Sequence, residues 1–263
     1  MLMREYRFNE PSVDIKYRQG HSVSIDYGSM YINGQSPTYM ENLINSDRVL
    51  TENELKRARA AINKIILNKI SKYNCQPDMI LNIGGRTRKV LIIDQVKGDK
   101  SVEYGMADDS TFAEMLDAAV KENPEADIIV KTHPQRSKGY FHNVIESDSI
   151  YFIDYPINPI SLLQYVDVVY VCTSQMGFEA CLCGKEVHVF GMPFYAGWGF
   201  TIDKQICKRR SRLRSIVEVF YFAYIVYSHY VSYETKAKCE IEQCLDEIIY
   251  LRKQFFEEIS SEI

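Results

Sequence analysis

Val130-Lys131-Thr132-His133-Pro134 and Cys172-Thr173-Ser174-Gln175-Met176-Gly177-Phe178-Glu179 are the stretches on which the fold turns. Each closes an apolar run with β-branched residues, over residues 127–131 in the first case and 165–172 in the second. Short apolar runs bounded by turn signals fit fully buried parallel strands. Both runs stop on polar residues, the first at His133-Pro134 and the second at Thr173-Ser174. In open α/β sheets ligands bind outside the carboxyl ends of the strands, so two such ends predict one pocket seen from two sides. The second end runs into Gly177-Phe178-Glu179, expected to start a helix. A helix N-terminus offers N–H groups and positive potential, which suit a phosphate.

Outward from these stretches the alternation of strands and helices is regular. Strands are expected at 90–93, 149–153 and 187–190, and helices at about 111–123, 159–164 and 177–183. Thr111 followed by Glu114 has the form of a capping box, Pro159 suits a first helical turn, and Gly184 suits a helix end. The alternation argues an α/β fold with a Rossmann-like parallel sheet flanked by helices. Before it, Leu55, Ala58, Ile62, Ile65, Ile66 and Ile70 fall at helical spacing in residues 51–70. Val23, Ile25 and Tyr27 alternate with Ser22, Ser24 and Asp26, as in a strand with one wet face. Tyr31-Ile32-Asn33-Gly34 has the form of a short strand closed by an Asn-Gly turn. After the alternation come a glycine- and aromatic-rich loop at 193–199, a basic run at 208–214, a hydrophobic helix at 215–230 and an amphipathic helix at 241–259.

The chain has 263 residues, 46% of them hydrophobic and 25% charged, enough for one large or two small domains with a substantial core. A net charge of −4 gives no global basic field, so no nucleic-acid partner is expected. Seven cysteines, an odd number with several in apolar runs, read as reduced buried thiols of a cytoplasmic protein. Cys181-Leu182-Cys183 has no partner pair at metal-ligand spacing, so no metal site is assigned. The polar, charged residues 1–10 do not resemble a signal peptide. No apolar run reaches the about 20 residues that a bilayer span requires.

Candidate chemistry sits in a few places. Pro134 fixes the backbone after His133 and restricts His133 itself. The imidazole is then held at a strand end, either to bind a phosphate or nucleobase edge or simply to meet a backbone partner. The hydroxyls of Thr173 and Ser174 could hold phosphate oxygens or only cap a helix. Glu179, one turn inside that helix, suits a ribose diol, or is a solvated carboxylate. Asp94-Gln95-Val96-Lys97-Gly98-Asp99-Lys100-Ser101 follows a strand directly. A carboxylate there could be a nucleophile or base, although spacing alone favours an ordinary Asp-Gly turn. Lys208-Arg209-Arg210-Ser211-Arg212-Leu213-Arg214 could meet an anionic acceptor or a membrane surface, or be a solvated basic stretch.

Together, the 94–101 stretch, Lys131-Thr132-His133-Pro134 and Thr173-Ser174-Gln175-Met176-Gly177-Phe178-Glu179-Ala180-Cys181-Leu182-Cys183-Gly184-Lys185 resemble the KpsC-type capsule polysaccharide biosynthesis proteins. The continuation Val189-Phe190-Gly191-Met192-Pro193-Phe194-Tyr195-Ala196-Gly197-Trp198-Gly199 looks like that family's most specific signature. Arg209-Arg210, Ser71-Lys72-Tyr73-Asn74 and residues 37–43 and 227–233 are also similar to it. The resemblance implies a retaining β-Kdo glycosyltransferase of GT-B fold, with CMP-Kdo as donor substrate, a glycolipid or oligosaccharide as acceptor, and no cofactor or metal. By the resemblance, Lys131, His133, Pro134, Thr173, Ser174 and Glu179 bind the nucleotide, Glu179 facing the ribose. The implied nucleophile is Asp99, by its spacing from Gln95, with Asp94 as the alternative. Gln95, Lys100, Gly197 and Trp198 are implied substrate contacts. Lys97, Lys100 or Lys131 would face the carboxylate that Kdo carries.

The same resemblance divides the chain into three parts. Residues 1–75 would be a remnant of an N-terminal, acceptor-side domain, 76–214 a Rossmann-like nucleotide-sugar domain, and 215–263 C-terminal helices packing back towards the N-terminal part. A full module of the family is longer, so a partner chain supplying the rest is expected, or other capsule assembly proteins. The implied location is the cytoplasm, at the inner face of the inner membrane with peripheral contact only. The rival reading is a catalytically incomplete nucleotide-binding or scaffold protein in capsule assembly or export. A third keeps the enzyme and changes the donor to another CMP-linked ulosonic acid or a UDP-sugar.

Overall fold

The run Lys89-Val90-Leu91-Ile92-Ile93 is buried along its whole length and forms β2 (Lys89–Ile93), a central strand of a six-stranded parallel sheet. The computed structural model describes residues 20–132 and 139–261. The other strands of the sheet are β3 (Asp127–Lys131), β4 (Ile150–Ile153), β5 (Val168–Val171), β6 (Glu186–Val189) and β7 (Ile202–Asp203). Their spatial order is β4-β3-β2-β5-β6-β7. Ile92 of β2 stands opposite Val130 of β3 on one side and Tyr170 of β5 on the other. From β2 the chain moves outward to β4, then returns to β5 on the opposite side of β2. The winding direction therefore reverses between β2 and β5, which is where a doubly wound sheet opens a ligand crevice.

The pleat sends alternate residues to opposite faces. Leu91, Ile93, Ile129, Val169 and Val171 enter one core, and Val90, Ile92, Ile128, Val130 and Tyr170 the other. The second core packs under α4 (Asp109–Glu122) through Phe112, Met115 and Ala119. The first lies under α5 (Pro159–Tyr165) and α6 (Met176–Leu182). It continues without a break into α2 (Glu52–Leu67), through Ala58, Ile62 and Ile65, and α8 (Ile241–Ser261), through Leu245 and Ile248. Both flanking segments thus share the core of the sheet.

Local chemistry sets the helix ends. Thr51 and Glu54 form a reciprocal capping box at the start of α2. Helix α4 begins one turn earlier than Thr111 and Glu114 suggest, because Asp108 is the cap and Thr111 is its partner. A carboxylate accepts the N3 amide as well as a hydroxyl does, and it also suits the positive helix end.

Three expectations are corrected. The basic run at 208–214 is tied to the protein itself. Arg214 donates to Ile44 O at 2.9 Å and Ser46 O at 2.6 Å, and Arg212 to Asn45 O at 3.0 Å, closing the C-terminus of α1 (Tyr39–Ile44). Arg209 and Arg210 both donate to the buried carboxylate of Glu41, at 2.8 and 3.1 Å. Cations at a helix C-terminus complement its dipole; Arg210 and Arg214 are buried, Arg209 is half-buried and Arg212 is exposed, and each of the four has a partner within the chain. Second, residues 215–230 are not one helix. After α7 (Ile216–Phe220) a π-helical stretch, Tyr221–Tyr227, leads into β8 (Ser228–Val231). Ser228 Oγ donates to Ala223 O at 2.8 Å and Tyr230 Oη to Tyr224 O at 2.6 Å, so the last carbonyls are satisfied as the chain straightens. β8 then pairs antiparallel with β1 (Ser22–Ser24) and β9 (Lys238–Cys239). Third, Tyr31-Ile32 is a turn, not a strand, and Val23, Ile25 and Tyr27 point outward. Among the described residues no helix is long and apolar enough to cross a membrane.

Candidate functional site

β2 and β5 end side by side at the switch point, and Asp94, Gln95 and Thr173 just beyond them are all buried. Gln95 locks the two ends together. Its Oε1 accepts the Thr173 N–H at 3.0 Å, and its Nε2 donates to Thr173 Oγ1 at 2.9 Å. The Thr173 methyl is wedged between two glycines: an added Cβ would come within 2.4 Å of it at Gly105 and 2.6 Å at Gly191. Thr173 is therefore fixed on every side, and its hydroxyl already has a partner.

Asp94 is held from beneath. One carboxylate oxygen accepts the N–H groups of Gln95 and Tyr140, each at 2.9 Å. The other is buried without a hydrogen-bond partner among the described residues, and a Cβ at Gly139 would lie 2.0 Å from it. Burial pushes this carboxyl up, against the pull of the amide donors. Asp99 stands five residues further along, exposed, as the cap of α3 (Lys100–Tyr104), with its Oδ1 accepting the Ser101 N–H at 2.9 Å.

These groups border a cavity of about 310 Å³. Asp94, Gln95, Asp99, Lys131, Thr173, Ser174 and Glu179 all line it, so seven of the expected site residues converge there from the ends of β2, β3 and β5 and from α6. Glu179 is buried, its Oε1 accepting the Lys72 N–H at 3.3 Å, and burial pushes its carboxyl up to about 7. Lys131 ends β3, and its Nζ donates to Thr132 O at 3.0 Å and Ile153 O at 3.3 Å. Burial lowers that ammonium to about 8.

The start of α6 differs from expectation. Its first-turn donors are bonded within the chain: Gly177 N–H to Ser174 O at 3.1 Å, Phe178 and Glu179 N–H to Gln175 O at 2.9 and 3.2 Å. The Ser174 hydroxyl accepts the Met176 N–H at 3.3 Å, and Ser174 lines the cavity together with Gln175, Met176 and Glu179. His133 and Pro134 lie outside the described residues.

Three expected substrate contacts are not brought to the cavity. Lys100 points away along α3 and pairs with Glu103 at 2.6 Å. Trp198 is fully buried, its Nε1 donating to Phe194 O at 2.8 Å, and Gly197 donates its N–H to Asp203 at 2.8 Å with φ of 82°. The 193–199 loop is folded around Arg210, which donates to Pro193 O and Ala196 O at 2.6 Å each. Only the start of that loop, Pro193 and Phe194, reaches the cavity.

Other lining residues were not found as site residues from the sequence. Ser71, Lys72, Tyr73 and Gln76 form one side, and Pro156, Ile157, Pro159 and Leu162 an apolar wall. The first group is pinned by Arg252 of α8, which donates to Asn74 O at 3.2 Å and Asn68 O at 3.0 Å. Gln175 also lines the cavity, with Nε2 donating to the buried Tyr224 Oη at 3.2 Å. The one signal for these was a polar Ser-Lys-Tyr-Asn stretch straight after an amphipathic helix. Among the described residues no group of three or more His, Cys, Asp or Glu could hold a metal ion.

Residues 51–235 match the family model described as capsule polysaccharide biosynthesis protein. The chain is 37% identical over 248 residues to the capsule polysaccharide modification protein LipA of Neisseria meningitidis serogroup A, covering 89% of this chain and 35% of that protein. It is 38% identical over 234 residues to the lipopolysaccharide-processing protein LpsZ of Rhizobium meliloti, covering 85% and 52%. The chain therefore spans about a third of LipA and about half of LpsZ. Among solved structures it is similar to the β Kdo 2,4 transferase of Thermosulfurimonas dismutans KpsC, with a TM-score of 0.83 and 39% identity over 88% of this chain and 74% of that one. The β Kdo 2,7 transferase of the same KpsC gives a TM-score of 0.69 at 26% identity, over 89% and 73%. The α/β architecture expected from the sequence, a parallel sheet of GT-B-like form, is thus the one observed.

Proposed function

We propose that this chain, which belongs to the KpsC-type capsule polysaccharide biosynthesis protein family, is the donor-binding part of a glycosyltransferase that moves Kdo from CMP-Kdo to a glycolipid or oligosaccharide acceptor with retention. In this reading residues 76–214 are the donor domain, with 1–75 and 215–263 flanking it on the acceptor side, and the protein works in the cytoplasm. The observation that carries the reading is the convergence of Asp99, Gln95, Ser174 and Glu179 on one cavity at the β2–β5 switch point. The likeness to two Kdo transferases supports the choice of sugar.

The roles follow from position. Glu179, buried in the cavity lining, accepts the ribose hydroxyls. The Ser174 hydroxyl donates to a phosphate oxygen. Asp99 is the nucleophile: it is exposed where Asp94 is buried, raised and already bonded to two amides. Asp94 is assigned to positioning the 139–140 backbone. In the first displacement Asp99 Oδ attacks the anomeric carbon, and the carbon–oxygen bond to phosphate breaks with its electron pair leaving on CMP. In the second an acceptor hydroxyl attacks the same carbon, the bond to Asp99 breaks, and the hydroxyl proton passes to a base. Two inversions give net retention. Donors around the departing phosphate stabilise its charge, and no metal or cofactor enters the scheme.

The test is calorimetry with CMP on wild type and on Ser174→Ala with Glu179→Gln, followed by a Kdo transfer assay read by mass spectrometry. The expected result is CMP binding that the double variant weakens by at least about a hundredfold, two lost hydrogen bonds to charged groups being of that order, and transfer from CMP-Kdo. CMP binding without transfer to any glycolipid or oligosaccharide would favour a nucleotide-binding scaffold instead. No CMP binding to folded wild type would remove the donor reading.

A further inference from the structure

We infer, resting on the donor reading above, that Lys131 recognises a carboxylate on the transferred sugar and so selects acidic over neutral donors. The first observation is its hydrogen bonding. Lys131 lines the cavity, and its ammonium donates to two backbone carbonyls, Thr132 O at 3.0 Å and Ile153 O at 3.3 Å. An ammonium has three donors, so one remains for the cavity. Among the described residues, the carboxylate that steadies its charge is Asp154, which acts through space without a hydrogen bond and is itself exposed. A half-buried cation with no hydrogen-bonded counter-ion is costly unless something else pairs with it.

The second observation sorts the other lysines. Lys97 pairs with Asp109 at 2.9 Å and Lys100 with Glu103 at 2.6 Å, and neither lines the cavity. Lys72 does line it, but beside Glu179, to which its backbone N–H donates at 3.3 Å, with its ammonium 5.3 Å from the centre of the Tyr73 ring.

The third is the order of the strands. β3, β2 and β5 stand side by side, each about 4.8 Å from the next. Their ends bring Lys131, then the Asp94–Asp99 loop, then Thr173 and Ser174 to the cavity in that sequence. In a nucleotide-linked ulosonic acid the anomeric carbon bears both the carboxylate and the phosphate oxygen. Along such a donor the order is carboxylate, anomeric carbon, phosphate. The strand ends present a cation, the start of the loop that carries Asp99, and a hydroxyl in the same order. Lys131 stands two strands from the hydroxyl, about 10 Å between strand axes, on the side away from the phosphate. The donor carboxylate is therefore its partner, and the phosphate is not.

The experiment compares a stable carbocyclic analogue of CMP-Kdo, its C1 carboxamide and CMP, by calorimetry on the full chain. For wild type, the carboxylate analogue is expected to bind about tenfold or more tighter than the carboxamide, as for a hydrogen bond to a charged group. In Lys131→Met that ratio falls to near one, and in Lys131→Arg, which keeps the charge, it stays above one. Thermal melting checks that the variants fold, and the wild-type ratio needs no variant. A wild-type ratio near one, or a ratio that survives in Lys131→Met, overturns the inference while CMP binding leaves the donor reading standing. The second outcome, with CMP itself weakened, would give Lys131 to the phosphate. No binding of any of the three ligands overturns both readings together.

Discussion

Gln95 and Thr173 lie 78 positions apart in the chain and are joined by three hydrogen bonds, Thr173 N–H to Oε1 at 3.0 Å, Nε2 to the hydroxyl at 2.9 Å and the hydroxyl to Oε1 at 3.2 Å. Both residues are buried, so this pair, rather than a free phosphate-binding threonine, is what the β2–β5 junction consists of. A side-chain amide is suited to the task, since it accepts and donates at once. The cavity exists in its observed form because this junction is closed.

Replacing Gln95 by Leu leaves the Thr173 N–H and hydroxyl without their buried partner. The expected loss is about 1–3 kcal/mol of stability, read from the urea midpoint. CMP affinity should fall as well, because Ser174 follows Thr173 directly. Gln95→Glu keeps the acceptor for the amide and should lose less. Equal stability of Gln95→Leu and wild type would mean that the junction is held by strand pairing alone.

Glu179 makes stability depend on pH in a definite direction. Its carboxyl is pushed up to about 7 by burial, against the ordinary glutamate value of about 4.3. Between those values the folded protein holds a proton that the unfolded chain has lost, so stability is full below the lower value and declines as pH rises to the upper one. The loss is on the order of 3 kcal/mol. Glu179→Gln removes the titration, so the variant should gain on wild type by about that amount between pH 4.5 and 7.5 in urea melts. If the ionised form accepts the ribose hydroxyls, wild-type CMP affinity should also rise from pH 6 to 8, and the variant's should not. A constant stability difference across this range would show that the carboxyl titrates normally.

The basic run carries a stability prediction and no binding one. Glu41 is buried against Arg209 and Arg210, and Arg210 is itself buried. Removing the carboxylate strands a buried guanidinium, so Glu41→Ala should cost about 3–5 kcal/mol. Lys208 is exposed at the edge of the run, and Lys208→Ala should stay within about 0.5 kcal/mol of wild type. Differential scanning calorimetry on both separates a structural clamp from a solvated charge patch. A Glu41→Ala variant as stable as wild type would undo the assignment.

What the sequence reveals here depends on how local the cause is. β3 was readable at both ends because Asp127-Ile128-Ile129-Val130-Lys131 is apolar, β-branched and bounded by turns. The places of the 94–101 loop and Glu179 were readable because strand ends and helix starts mark themselves, but spacing alone favoured an ordinary turn for the loop, and only the family resemblance pointed to the cavity that both now line. Residues 215–230 were not, since Tyr221 to Val231 is equally apolar as helix or strand, and the choice rests on β1, some two hundred residues away. Trp198 and Gly197 looked like ligand contacts because aromatic and glycine residues serve both binding and packing. Only the position of Arg210 beneath the loop decides for packing. Likewise the arginines at 209–214 declare a charge but not their partners, which are the Glu41 carboxylate and the carbonyls of Ile44, Asn45 and Ser46 where α1 ends.

The last prediction separates the two aspartates. Asp99 is exposed at the cavity and holds a single amide through one oxygen. Asp94 is buried, with one oxygen on the amides of Gln95 and Tyr140 and the other pressed towards Gly139. If Asp99 forms the glycosyl ester, Asp99→Ala should reduce Kdo transfer by at least about a thousandfold, covalent catalysis being lost. CMP affinity should change little. Asp94→Asn keeps an oxygen for both amides, so transfer should persist, whereas Asp94→Ala should lower the melting temperature and CMP binding together. Trapping would be the decisive readout. A mass increase of one Kdo residue on a peptide containing Asp99, absent in Asp99→Ala, fixes the nucleophile. The same adduct on Asp94, with Asp99→Ala still transferring, would exchange their roles and require Gly139 and Tyr140 to move to admit the sugar.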